Sequence, residues 1–336
     1  SEMRKMSSPI KASQGSAYSR ILGVGGARGN RVVDNAEMCT IIDSSDEWIQ
    51  QRTGIIERRW VDDSQNTLSL ATEAARKALD RSGVPTDQID AVLVSSVSNH
   101  RRFPSLAVQV ASEFGLPNPA ATDLSAACAG FCYGVSLADS MVRAGSAHYV
   151  LVVGVEVLSE QTDYTDRSTA FLFGDGAGAA VIGPSDTPAI GPVVWGSEIN
   201  TAEIIHSDDF DVAAAGGFSP KIHMEGNKVF RWATTYIVEK TVETLEVAGL
   251  KPDELDVFIP HQANNRITDA MLRRLKLPES VVVSRDIKHM GNASAASVPI
   301  AMEALLESGE AKSGDNALII GFGAGLVYAG QVVVLP

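Results

Sequence analysis

The chain has 336 residues, 45% of them hydrophobic, and a formal net charge of −13. That is apolar material for one large core or two fused halves, and its charge has the wrong sign for nucleic acid, whose phosphates need a basic footprint. The three cysteines, Cys39, Cys128 and Cys132, are too few for a disulfide framework, and no apolar run is long and unbroken enough to span a bilayer. The expectation is a cytoplasmic protein with neither a membrane nor a nucleic-acid partner.

Taken in order, residues 1–16 are polar and read as a disordered tail. A helix stopped by Gly83 leads to the apolar strand Ala91–Ser95. Leu116-Pro117 precedes a short strand, Ala121–Leu124, and then Asp-Leu-Ser-Ala-Ala-Cys-Ala-Gly-Phe, residues 123–131. A long apolar helix, Ala129–Ala144, follows and stops at Gly145. The strands Tyr149–Val153 and Ala179–Pro184 come next. Pro, Gly, Ser and Asp cluster over Pro184–Pro192, which marks a boundary. Thr201–Lys221 lacks periodicity and is expected to be a mobile loop over a pocket.

The same series then recurs. A helix stopped by Gly249 leads to Glu254–His261, which resembles Gln88–Ser95. Leu277-Pro278 matches Leu116-Pro117, and Leu318–Gly321 matches Leu151–Gly154. Gly309 stops a helix at the same distance from Asn292 as Gly145 does from Cys128, so Cys128 is aligned with Asn292. The expected fold class is α/β, a duplicated architecture with helices between and outside two sheets, divided into 17–185 and 186–336.

Cys128 falls where a buried helix begins. Unpaired N–H groups and the positive end of the helix dipole favour thiolate there. A lone cysteine beside Ala and Gly is also ordinary packing material. His261 ends a strand within Pro-His-Gln-Ala-Asn, and Asn292 lies in His-Met-Gly-Asn-Ala-Ser-Ala-Ala-Ser, where helix capping is the plain alternative. If the repeats pack about a pseudo-twofold axis, Cys128, His261 and Asn292 share one pocket. The stretches Gly23–Gly29, Gly174–Gly178 and Gly321–Gly325 miss dinucleotide spacing and lack a Walker lysine. Gly321–Gly325 instead suits a turn that aims backbone N–H groups at a ligand.

Ala-Ala-Cys-Ala-Gly-Phe, Pro-His-Gln-Ala-Asn, Gly-Asn-Ala-Ser-Ala-Ala-Ser and Gly-Phe-Gly-Ala-Gly, in this order, resemble β-ketoacyl-acyl-carrier-protein synthase III of the thiolase superfamily. Ser44-Ser-Asp-Glu-Trp48, Arg52-Thr-Gly-Ile and Phe173-Gly-Asp-Gly-Ala-Gly extend the resemblance over nearly the whole chain after Ala17. Met290 departs from it, where the family more often has an aromatic residue or His before Gly-Asn.

The resemblance implies a thiolase-like duplicated fold, two mixed sheets in a five-layer αβαβα sandwich, and a Cys128–His261–Asn292 triad. The cysteine would take an acyl group from acyl-CoA. His261 and Asn292 would stabilise the enolate left when malonyl-acyl-carrier protein loses CO2, and backbone N–H groups of Cys128 and Ala324 would form the oxyanion hole. Trp48, Arg52 and Arg167 match CoA-binding positions, and Asn264 a pantetheine contact. Phe103 matches a residue that one subunit of a homodimer lends to its neighbour's acyl pocket; a ring there implies an acetyl or short branched primer. Arg231, Arg266, Arg273 and Arg274 form a candidate docking patch for the carrier protein, with a solvated helix face as the plain alternative. No metal or cofactor is expected. Phe322 and Ala324 stand where a degradative thiolase needs a second reactive Cys. A priming ketosynthase of a polyketide pathway and a silent acyl-binding subunit are the competing functions.

Overall fold

The computed structural model describes residues 8–336. Residues 1–7 of the expected tail lie outside them. Residues 8–17 form no helix or strand, and the Ser16 N–H donates to the Val142 carbonyl at 3.2 Å.

Fourteen strands are present among the described residues: β1 (Tyr18–Arg28), β2 (Arg31–Asp34), β3 (Glu57–Trp60), β4 (Ala91–Ser95), β5 (Ala120–Leu124), β6 (Val150–Val157), β7 (Asp175–Ser185), β8 (Val194–Ser197), β9 (Ile205–Ser207), β10 (Ile222–Met224), β11 (Val257–Pro260), β12 (Val282–Val283), β13 (Asn316–Gly323) and β14 (Val327–Val334). Two five-stranded mixed sheets dominate, with orders β1-β7-β6-β4-β5 and β8-β14-β13-β11-β12. Position for position they share one plan. The β4–β6, β4–β5, β11–β13 and β11–β12 pairs are parallel, and the remaining pairs are antiparallel.

The layers follow from which strand faces are apolar. β4, β6, β11 and β13 are apolar at nearly every position, and such strands need cover on both faces. Helices Gly130–Ala144 and Ser297–Ser308 lie between the sheets. There Phe131, Val135 and Val298 join Val150, Val152, Val257 and Ile319 in one core. Thr67–Ser82 and Leu106–Glu113 cover the outer face of the first sheet. Tyr236–Val247 and Asn265–Leu275 cover that of the second. The result is the thiolase-like α/β sandwich expected, five layers deep. The four predicted stop glycines, Gly83, Gly145, Gly249 and Gly309, have φ of 69°, 85°, 73° and 76°.

The two repeats meet in a register that the glycines misplace. Each central helix is entered through a 3-10 turn, Ala127–Ala129 or Ser294–Ala296, opened by a residue in the left-handed region: Ala127 at φ 47° and Ser294 at φ 48°. Cys128 therefore corresponds to Ala295, three residues beyond Asn292. The helix after Cys128 has 15 residues and its counterpart 12, so counting back from Gly145 and Gly309 absorbs that difference as a shift.

Candidate active site

The C-terminal ends of β4, β6, β11 and β13 point toward one cavity of about 450 Å³. Cys128, His261 and Asn292 all line it, with Ala126, Ser294, Phe322 and Ala324.

Cys128 sits in its 3-10 turn just ahead of the helix and is half-buried. β13 passes close behind it. A Cβ on Gly323 would lie 2.8 Å from the sulfur, and one on Gly321 would lie 2.7 Å from the Cys128 carbonyl oxygen, so both positions require glycine. The backbone N–H groups of Ala324 and of Cys128 itself favour negative charge on the sulfur. The expectation that this setting favours thiolate is overturned. Desolvation pushes the thiol up to about 12, and the negative charge of Glu156 adds to it. The Ser294 hydroxyl and the two backbone N–H groups offset only part. The resting sulfur is a thiol.

His261 follows β11 and is 3% exposed. Its N–H donates to the Ile320 carbonyl at 2.7 Å, and its ring lies edge-on to Phe322, centroids 5.3 Å apart. Nδ1 is 2.8 Å from the Ser297 hydroxyl oxygen. That oxygen accepts the Gln262 N–H at 3.3 Å, so the Ser297 proton is available to Nδ1. With the Ser297 proton donated to Nδ1, the ring proton lies on Nε2. Burial lowers the imidazole to about 3, which keeps the ring neutral.

Asn292 is stitched to the other repeat. Its N–H donates to the Leu172 carbonyl at 2.7 Å and its carbonyl accepts the Gly174 N–H at 3.0 Å, a single parallel bridge with Phe173. Its Oδ1 accepts the Ser294 N–H at 2.9 Å, which leaves the amide NH2 as the group offered to the cavity. The segment that clamps Asn292 is anchored from below by Arg58. This fully buried guanidinium donates to the Val33 and Phe171 carbonyls, each at 3.0 Å, and to the Asn35 Oδ1 at 2.9 Å.

The remaining candidates divide. Trp48, Arg52 and Arg167 converge outside the cavity, with both guanidinium carbons 5.3 Å from the Trp48 ring centroid. Asn264 lines the cavity and caps helix Asn265–Leu275, its Oδ1 accepting the Ile267 N–H at 2.9 Å. Phe103 is 84% exposed and is not part of its own chain's cavity. Arg231, Arg266, Arg273 and Arg274 are exposed, and none forms an ion pair among the described residues. Arg266 lies 5.6 Å from the Phe230 ring, beside Arg231.

Thr201–Lys221 is more regular than expected. It contains β9, the helix Phe210–Ala215 and the approach to β10, and the β9–β10 hairpin places Ile205, His206, Ile222 and Met224 in the cavity wall. Sequence reasoning assigned no role to these residues, nor to Leu158, Gln161 and Leu172 opposite. Their alternation is too short to read as a strand. Ser297 closes the Gly-Asn-Ala-Ser-Ala-Ala-Ser motif, but nothing in its spacing points to His261, 36 residues away.

Residues 122–198 match the family model described as 3-oxoacyl-[acyl-carrier-protein (ACP)] synthase III, and residues 245–335 match the model of that family's C-terminal part. The chain is 53% identical over 333 residues to the β-ketoacyl-[acyl-carrier-protein] synthase III of Streptomyces glaucescens, covering 98% of this chain and all of that protein. Among solved structures, a priming β-ketosynthase from a polyketide biosynthetic pathway superposes with a TM-score of 0.95 at 46% identity, over 98% of this chain and 99% of that one. The 3-oxoacyl-[acyl-carrier-protein] synthase III of Aquifex aeolicus gives 0.87 at 38% identity, over 94% and 99%. Sequence, architecture and coverage agree from end to end: the chain belongs to the 3-oxoacyl-[acyl-carrier-protein] synthase III family.

Proposed function

We propose that this enzyme starts acyl chains for type II fatty acid synthesis, joining an acyl group from acyl-CoA to malonyl-acyl-carrier protein and releasing CO2 and 3-oxoacyl-acyl-carrier protein. The observation that carries the reading is one cavity lined by a thiol, a neutral imidazole and an amide, with the backbone of Ala324 beside them. Cys128 attacks the thioester carbon and the bond to CoA breaks. The backbone N–H groups of Cys128 and Ala324 suit the oxyanion of that step, and each such donor is typically worth about 3–4 kcal/mol in a transition state. The malonyl C–C bond then breaks and its electrons move onto the thioester oxygen. Nε2–H of His261 and the NH2 of Asn292 donate to that enolate, and its carbon displaces the cysteine sulfur. CO2 loss supplies the electrons of the new bond, so the chemistry requires neither a strong base nor a cofactor.

In this reading Trp48, Arg52 and Arg167 hold the CoA adenine end, Asn264 contacts pantetheine, and the arginines around Arg266 dock the acidic carrier protein. β5 is an edge strand with one neighbour, and Phe103 is exposed beside that region; both support a homodimer. The chain then divides into halves 17–185 and 186–336, one giving the nucleophile and the other the enolate site. Three unpaired cysteines fit the cytoplasm, and no helix among the described residues is long and apolar enough to cross a membrane. The likeness to a priming β-ketosynthase favours a second reading, the same chemistry at the start of a polyketide. Replacing Cys128 with Ala separates the half-reactions: malonyl decarboxylation should persist and acyl transfer should vanish. Asn292→Ala should do the reverse. Loss of both activities in each variant would sink the assignment.

A further inference from the structure

The turn that carries Ala324 is braced from outside by a residue that the reaction above leaves unused. β13 ends at Gly323, close behind the Cys128 sulfur, and Ala324, Gly325 and Leu326 form the turn into β14. Ala324, Gly325 and Val327 line the cavity. Gly325 is exposed at φ 145°, a conformation open to glycine and strained for other residues. The same freedom leaves the turn loose unless something outside it takes hold. Thr201 does so. Its hydroxyl oxygen accepts the Leu326 N–H at 2.7 Å. Its proton has the Glu198 carbonyl at 2.9 Å and the Gly325 carbonyl at 3.2 Å as acceptors. The Glu198 N–H in turn donates to the Leu326 carbonyl at 2.9 Å. Leu326 is thus gripped at both its N–H and its carbonyl, and its side chain is buried. Asn200, in the left-handed region at φ 65°, bends the chain just ahead of Thr201. Ala202, Ile205 and His206, just beyond it, belong to the cavity wall.

We propose that Thr201 is a positioning residue for Cys128 acylation: its hydroxyl fixes the turn that sets the Ala324 N–H where the thioester oxyanion forms. The inference rests on the reading of Cys128 as the acylated nucleophile and of the Ala324 N–H as an oxyanion donor. Thr201 acts through the turn and touches no reacting atom. Such a donor acts at full strength only when it is already held at the place where charge develops. Without the hydroxyl, the Leu326 N–H and the Glu198 carbonyl each lose a partner, and the turn keeps only the Glu198 N–H bond of this set. The enolate step draws instead on His261 and Asn292, whose backbones are tied to Ile320, Leu172 and Gly174. Thr201 therefore separates the half-reactions. The same oxyanion site serves the acyl-cysteine again when the enolate carbon attacks it, so condensation slows along with acylation. Decarboxylation by itself does not.

The test times acetylation of Cys128 over a range of acetyl-CoA concentrations, by mass spectrometry of quenched protein, beside malonyl decarboxylation in the Cys128→Ala background. Thr201→Val replaces the hydroxyl with a methyl group of nearly the same shape. It should slow the saturating acetylation rate about tenfold, the effect of one lost hydrogen bond, and leave the half-saturating acetyl-CoA concentration within about twofold. Thr201→Ser should recover most of the rate. The double variant Cys128→Ala, Thr201→Val should decarboxylate malonyl-acyl-carrier protein as fast as Cys128→Ala alone. A residue that only props the cavity wall predicts matching losses in both activities, since His261 and Asn292 line the same cavity. Matching losses would therefore overturn the proposal. So would Thr201→Val acetylating at the parent rate, or Thr201→Ser doing no better than Thr201→Val. If Thr201→Val does not fold, Thr201→Ala takes its place in the same comparisons. Full acetylation by Ala324→Pro, which lacks the N–H, would refute the underlying reading instead, as would a parent enzyme that never acetylates at Cys128.

Discussion

The Ser297 hydroxyl lies 2.8 Å from Nδ1 of His261, joining the first turn of one central helix to the end of β11. Both residues are buried, so water does not compete for the bond.

Donated to Nδ1, the Ser297 proton keeps the ring proton on Nε2. Ser297→Ala should leave Cys128 acylation unchanged and lower the condensation kcat about tenfold, the effect of one hydrogen bond of roughly 1.4 kcal/mol. Single-turnover acylation and steady-state condensation measured side by side would check it. A matching loss in both would make Ser297 a packing residue.

Burial of His261 also has a signature in stability. Its folded value of about 3 lies below the ordinary 6.5, so the unfolded chain binds the extra proton between those values. This contribution is complete above about pH 6.5 and is lost as pH falls toward 3. Urea unfolding from pH 7 to 4 should show a steeper decline for the parent than for His261→Gln; parallel declines would refute it.

Two cationic surfaces should separate by substrate. Arg52→Ala or Arg167→Ala removes one cation from the Trp48 ring and should raise the KM for acyl-CoA about fivefold, given about 1 kcal/mol per contact. A short acyl-pantetheine thioester should be unaffected. Arg266→Glu should weaken use of malonyl-acyl-carrier protein about tenfold and more at low salt, with acyl-CoA unaffected. Equal losses for both substrates in either case would contradict these roles.

Phe103 is too exposed to serve its own chain. Phe103→Thr should shift preference toward longer acyl-CoA, read as kcat/KM across chain lengths, with stability nearly unchanged. No shift would remove it from the acyl pocket.

The duplicated plan and the three polar groups of the cavity were legible because each has a local signature: apolar strand runs, stop glycines and short motifs. The Cys128–Asn292 register was misread because a three-residue difference in helix length hides between two matched glycines. The thiol character of Cys128 was misread because a helix start shows in sequence, whereas desolvation by β13 and the cavity walls does not. Ser297, Thr201 and the wall residues Ile205 and Met224 went unassigned because their roles arise from partners on other elements.

The most direct measurement is intact mass after mixing the protein with a panel of acyl-CoAs, with the adduct mapped to its residue. One acyl group on Cys128 is expected, short chains preferred, and none on Cys128→Ala. An unmodified protein, or an acyl group carried elsewhere, would contradict it.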